Sequence, residues 1–323
     1  MKGKVLFSWF LFCAIMVGLP AFDGFCAERY PDRPVQFIVS NVAGSTMDVS
    51  ARILATELEK VLGTTVVVVN KPGVAGVLGT DTTVRARKDG YTILITGSSA
   101  LTFIPITGTE PVPFDPAKDL DFLGLYYYFP LTITVRADSP WKTFPEFVDY
   151  AKKNPGKIRV STTGVASGPH FVVEMIQVIT GAQLTHVPFK GGESVVTAVL
   201  GGHVEATCDN IQKLKPHVDA GKLRFLLTTA AMADLPGIPT MRDLGHKEDL
   251  LTIWFGIFGP AGIPEEVKKV LVPALEKAVK NVKPKIDSMG NVTEFRPPAE
   301  FKKMWLDEYK QVQEIATKIG LRK

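Results

Sequence analysis

Short runs of β-branched and aromatic residues alternate along this chain with longer stretches whose apolar positions recur every three or four residues. "VQFIVS" (35–40) is short and nearly all apolar, and predicts a strand. In "DVSARILATELEKVL" (48–62), Ile53, Leu54, Leu58, Val61 and Leu62 share one helical face, with Asp48 placed to cap the start and Gly63 to end it. "TVVVVN" predicts the next strand, residues 77–87 a helix, and "YTILIT" (91–96) a third strand. Two consecutive βαβ units of this kind predict a doubly wound, mostly parallel sheet flanked by helices.

After a Pro-rich connection (107–119) the alternation resumes. "LTITVRA", "KIRVSTT", "LTHVPF", "HVEATC" and "LRFLLTT" read as strands; "FPEFVDYAKKN", "PHFVVEMIQVIT" and "ESVVTAVL" read as helices. "LLTIWFGIFG" (250–259) is a long apolar strand, followed by a helix over 264–281, a short strand near "VTEF" and a last helix over 298–319. One extended strand in mid-chain and another near residue 255 predict two crossings between lobes. Residues 28–130 then begin lobe 1, 131–252 form lobe 2, and 253–323 return to lobe 1. In "YYYF" (126–129), strand alternation divides the tyrosines between core and surface.

The first residues stand apart from this pattern. "MKGK" followed by "VLFSWFLFCAIMVGL" has the charge and length of a signal peptide, shorter than the roughly 20 apolar residues of a spanning helix. Residues 1–27 are therefore expected to be removed after Ala27, placing the mature protein in the periplasm. Lipidation at Cys26 is the alternative, with Phe25 a poor fit to that signal. Cleavage leaves Cys208 as the single cysteine, so no internal disulfide is expected. The net charge of +4 is spread without a basic run, which gives no footing for nucleic acid.

In an open parallel sheet, ligands bind beyond the carboxyl ends of the strands. Four such junctions here are rich in small or hydroxylated residues: "SNVAGSTMD" (40–48), "NKPGVAGVLG" (70–79), "STTGVASGPH" (161–170) and "PFKGGES" (188–194). In the second, Gly73 lets the chain turn, Gly76 lets a ligand approach the backbone, and Gly79 lets the helix pack on the sheet. A β-carbon at Gly76 is expected to point at the ligand. Exposed N–H groups at these helix starts attract an anion without a formal cation, so Lys71 and Lys190 are expected to contribute little.

Other chemistry finds no support. The glycine spacing is not G-x-G-x-x-G or a P-loop, no G-x-S-x-G elbow occurs, and the five histidines lack metal-ligand spacing. No cofactor is expected. His170 reads as structural and Cys208 as a small buried residue. Asp209 and Asn210 either face the cleft or cap the next helix.

Nine blocks in order carry a family resemblance: "YPDRPVQFIV", "GSTMDVSAR", "VVVVNKPGVAGVLGT", "KDGYTILI", "GVASGPH", "VPFKGGES", "GKLR", "LPGIPTMRDLG" and "WFGIFGPAGIP". Through them the chain resembles the Bug (TctC-type) periplasmic solute-binding receptors of tripartite tricarboxylate transporters. The resemblance implies an α/β, two-lobed, type II Venus-flytrap fold that binds a small organic carboxylate and is not an enzyme. Its implied partners are membrane permease subunits, with the receptor itself a monomer. Carried over, the ligand-binding positions are Val42, Ala43, Gly44, Ser45 and Asp48, then Val74, Ala75 and Gly76. The second lobe would contribute Thr163, Gly164, Ser167 and Asp209. Where the family shows P-F-x-P-G-G this chain has "SNVAGS", with Ser45 in place of a glycine and Asn41 of an aromatic, which implies a narrower, more polar cleft. A partner of a sensor histidine kinase would use the same surface; an enzyme on the bilobal fold would need a nucleophile or metal set not found in the sequence.

Overall fold

The computed structural model describes residues 30–189, 192–232 and 235–322. The signal-peptide reading (1–27) and Lys190 lie outside the described residues. The chain builds two sheets in succession. The first half supplies β1 (Val35–Val39), α1 (Thr46–Leu62), β2 (Val66–Asn70), α2 (Val77–Val84) and β3 (Thr92–Gly97). A π-turn (Ser99–Phe103) and the short α3 (Ile104–Thr107) lead to β4 (Leu120–Phe129). The middle supplies β5 (Leu131–Arg136), α4 (Phe144–Lys153), β6 (Ile158–Thr162), α5 (Gly168–Thr180), β7 (Leu184–Pro188), α6 (Gly192–Leu200), β8 (Ala206–Asn210), α7 (Ile211–Asp219) and β9 (Leu223–Thr228). The chain returns through β10 (Ile253–Pro260), α8 (Glu265–Asp287), β11 (Val292–Thr293) and α9 (Pro298–Lys318).

One sheet has the strand order β11-β4-β10-β3-β1-β2 and the other β7-β6-β8-β5-β9. The parallel pairs β1–β2 and β1–β3 are the two predicted βαβ units. Apolar alternation and β-branching account for the strands; local capping accounts for where the helices start. Ser45 caps α1, and a Thr143–Glu146 capping box starts α4.

The tyrosines depart from simple alternation. Opposite β10, Phe255 pairs with Tyr127 but Gly256 pairs with Leu125, so Tyr126 is an extra residue in β4. That bulge turns Tyr126 and Tyr127 into the same fully buried cluster beneath α1, where both hydroxyls bond to Ser50. α7 runs through Pro216, with Ile211 and Leu214 buried on one face, where the sequence predicts only a next helix after Asn210, without its bounds. α9 serves both halves: Phe301 and Trp305 pack beside the first sheet, while Val312, Ile315 and Ala316 join the core that includes Ile133, Val160 and Phe171.

Candidate functional site

Strand polarity decides where the candidate loops lie. β4 passes into β5 across Pro130 alone. β10 is antiparallel to both β4 and β3, and β1 and β2 are parallel to β3. The carboxyl ends of β1, β2 and β3 therefore lie on the edge from which β4 leaves its sheet. In the other sheet β8 is antiparallel to β5 and parallel to β6, which is parallel to β7. Their carboxyl ends lie on the edge where β5 enters. The loops at 40–45, 71–76, 163–167 and 209–210 thus occupy the two facing edges. The halves touch directly: a β-carbon on Gly168 would overlap Ile253 Cδ1, and one on Gly290 would overlap the Gln212 amide.

On the β1–α1 loop, Val42, Ala43 and Gly44 are exposed, and Gly44 has φ +80. Ser45 Oγ accepts from Asp48 N, so the cap of α1 is Ser45 and not, as expected, Asp48, which sits at the third helical position. Asp48 is buried beneath the loop. Its carboxylate accepts from Gly44 N (2.9 Å) and Arg52 on one oxygen, and from Asn70 Nδ2 (2.9 Å) and Arg52 on the other. Burial pushes the Asp48 carboxyl up, but the bonds from Arg52, Gly44 and Asn70 together outweigh it and hold the group below the usual carboxylate range. Asp48 fastens the loop from beneath, and Asn70, beside Val39 in the parallel register, also donates to the Asn41 carbonyl.

On the β2–α2 loop, Gly73 (φ 143), Val74 (φ 48), Ala75 (φ 49) and Gly76 (φ 104) are four consecutive residues with positive φ. Val74 and Ala75 are exposed, whereas Gly76 is buried. The expectation for the Gly76 β-carbon is overturned. It would point inward, 3.0 Å from Thr96 Oγ1, 3.1 Å from Ser40 Oγ and 3.2 Å from Ala100 Cβ. Gly79 behaves as expected, since a β-carbon there would sit 2.9 Å from the Ser40 backbone.

In the second half, Ser167 caps α5 and donates to Gly164 O (2.7 Å), closing the loop that holds Thr163 and Gly164. Ala166 has φ 61, and Ala166 N donates to His170 Nδ1 (3.1 Å). His170 stacks on His186 with centroids 3.8 Å apart, and His186 Nε2 lies 2.6 Å from Thr162 Oγ1. Burial and then His170 hold His186 down to about 4, so this support under the loop is neutral. His170 is structural, as read. Asp209 is buried at the end of β8 beside Lys213 (3.3 Å), and Asn210 caps α7. Burial raises the Asp209 carboxyl against the pull of Lys213.

Among the described residues, the three non-glycine positions with positive φ are Val74, Ala75 and Ala166. All three fall in the candidate loops, where strained backbone concentrates at functional sites. No acceptor among the described residues faces the amide N–H of Ala43, Ala75 or Val165. Sequence reasoning missed the supports Asn70, Arg52, Thr162 and His186. Only Asn70 left a signal, as the polar stop to four valines.

Comparison with known proteins places this geometry. The description "Tripartite tricarboxylate transporter family receptor" matches residues 50–321. The chain belongs to this receptor family. Protein BugT of Bordetella pertussis is 32% identical over 257 residues, covering 79% of each chain. The structure of a TctC solute-binding protein from Polaromonas superposes with a TM-score of 0.82 at 27% identity, covering 90% of this chain and 99% of that one. Two structures from Rhodopseudomonas palustris, each 24% identical, share the fold. Rpa4515, with adipate, has a TM-score of 0.70 and covers 90% of this receptor and 98% of its own chain. MatC, with bound malate, has a TM-score of 0.65 and covers 88% and 99%. The receptor is thus a two-lobed periplasmic binding protein of mixed α/β type.

Proposed function

We propose that this receptor captures a small carboxylate between its lobes and delivers it to the membrane permease subunits of a tripartite tricarboxylate-type transporter, without catalysing a reaction. Residues 28–130 and 253–323 form one body, apart from the end of α9, which packs with the other body, 131–252, and a leader over residues 1–27 directs export. The observation that carries the reading is the pair of strained loops on facing edges, where the N–H groups of Ala43, Ala75 and Val165 have no partner among the described residues. Such groups on loops that lead into helix N-termini favour an anion, and closure of two lobes excludes water around it. The carboxylate seats against Val42–Ser45 and Val74–Gly76 over the Asp48 clamp. Thr163, Gly164, Ser167 and Asp209 close from the other side.

The mature chain titrated with carboxylates reports directly. A ligand at 100 times its Kd raises stability by about 2.7 kcal/mol. Stabilisation by at least one carboxylate, with compaction in small-angle scattering, is the expected result. A panel of mono-, di- and tricarboxylates that neither stabilises nor compacts the protein overturns the reading.

A further inference from the structure

Most polar side chains of the candidate loops, Thr163 and Lys71 apart, are engaged within the loops themselves. Asn41 Oδ1 accepts from Val42 N (2.8 Å), Ser45 caps α1, and Asp48 and Asn70 hold each other and Arg52. Across the cleft, Ser167 is bound to Gly164 and His170 to Ala166. Besides backbone and the exposed Lys71, the loops present valine outward. Val42 is 55% exposed, Val74 46% and Val165 56%, and Leu78, the second residue of α2, is 50% exposed. They stand on the loops of both facing edges, and Val74 is held outward in a left-handed conformation that a β-branched residue adopts only at a cost.

The charges point the same way. Arg52 is paired with Asp48 and Lys213 with Asp209, so these two cations are already matched by carboxylates of the protein. Glu193 adds negative potential near Asp209. An anion on the first-lobe loops meets N–H groups, whereas a second anion reaching the other lobe meets the mutually balanced Lys213–Asp209 pair and the carboxylate of Glu193. We propose that the ligand is a monocarboxylate with an apolar body: the carboxylate sits on the first-lobe loops and the hydrocarbon lies between Val42, Val74 and Val165. This rests on the carboxylate-receptor reading and narrows it, against the dicarboxylates that its two structural relatives hold.

Two series test it by calorimetry on the mature chain. Along acetate, propionate, butyrate, valerate and hexanoate, affinity is expected to rise about fourfold per buried methylene. In the carbon-matched pairs valerate–glutarate and hexanoate–adipate, the monocarboxylate is expected to bind at least tenfold more tightly. A Val42→Ser, Val165→Ser variant alters two exposed side chains, so it is expected to fold normally and to flatten the methylene series. Tighter binding of glutarate and adipate, or a flat series in the wild type, overturns the inference while leaving the carboxylate receptor standing. Failure of every acid in both series, with binding instead of non-carboxylate solutes, overturns the carboxylate reading itself.

Discussion

Asn70 Nδ2 donates to Asp48 Oδ1 across 2.9 Å, tying the end of β2 to the start of α1 and so fixing the two first-lobe loops relative to each other. Asp48→Ala leaves Gly44 N, Asn70 and Arg52 without their acceptor and is expected to cost about 1–3 kcal/mol in urea unfolding. Because the folded pKa lies below the ordinary 3.8, the contribution is present above that value and lost as pH falls through the lower folded pKa. Stability below about pH 4 is therefore expected to fall less steeply in Asp48→Asn than in the wild type. Equal acid slopes would remove Asp48 from the clamp.

Gly76 and Gly44 make a contrasting pair. Gly76→Val places atoms against Ser40, Thr96 and Ala100 at φ +104, and is expected to destabilise the ligand-free protein by roughly 3 kcal/mol or more. Gly44→Ala also has a positive φ but meets nothing within 4 Å, so about 1 kcal/mol is expected. Similar melting temperatures for the two variants would contradict the inward orientation at Gly76.

Two titrating groups act against each other. Burial pushes Glu308 up to about 7, opposed by its bonds from Trp254 Nε1 and Thr102 Oγ1. A raised folded pKa gives stability that is full below about 4.5 and lost as pH rises to about 7. His186, lowered to about 4, gives stability that is full above 6.5 and lost as pH falls to about 4. Their slopes oppose each other between about 4.5 and 6.5, so the wild type is expected to be nearly flat there. Glu308→Gln is expected to lose about 1–3 kcal/mol on acidification across that window, and His186→Gln a similar amount on alkalinisation. Melting curves at half-unit pH steps resolve the two. Parallel profiles for wild type and variants would show that neither group is coupled to folding.

Among the described residues, Thr293 Oγ1 and both amide atoms of Asn291 are buried without a partner, and they flank Val292 beside Gly290, which Gln212 of the other lobe approaches. Replacing an unpaired hydroxyl by a methyl of the same shape removes a desolvation penalty. Thr293→Val is thus expected to stabilise the protein by about 1 kcal/mol in urea unfolding. A loss of similar size would mean that the hydroxyl is paired through ordered water.

Much of this receptor was readable from local pattern. The βαβ units, the long apolar strand read at 250–259 and found as β10, and the loops at 40–48, 70–79 and 161–170 follow from hydrophobic runs and period-3.6 spacing, which short-range sterics impose on any chain. A polar cap at the start of α1 was legible because helix starts demand that residue type, but the cap is Ser45, and Asp48, read as the cap, sits at the third helical position. What the local pattern cannot carry is the direction in which a loop residue faces. Gly76 appeared to open toward a ligand, but four consecutive positive φ values turn it into the gap between β1 and β3. A bulge at Tyr126 moved two adjacent tyrosines into one core. Asp48 became a clamp only when parallel pairing brought Asn70 alongside. Sequence spacing alone determined the elements and the loops between them, because those depend on neighbours a few residues apart. The tertiary structure decided which side chains hold the loops and which face the cleft, because those contacts join residues far apart in the chain.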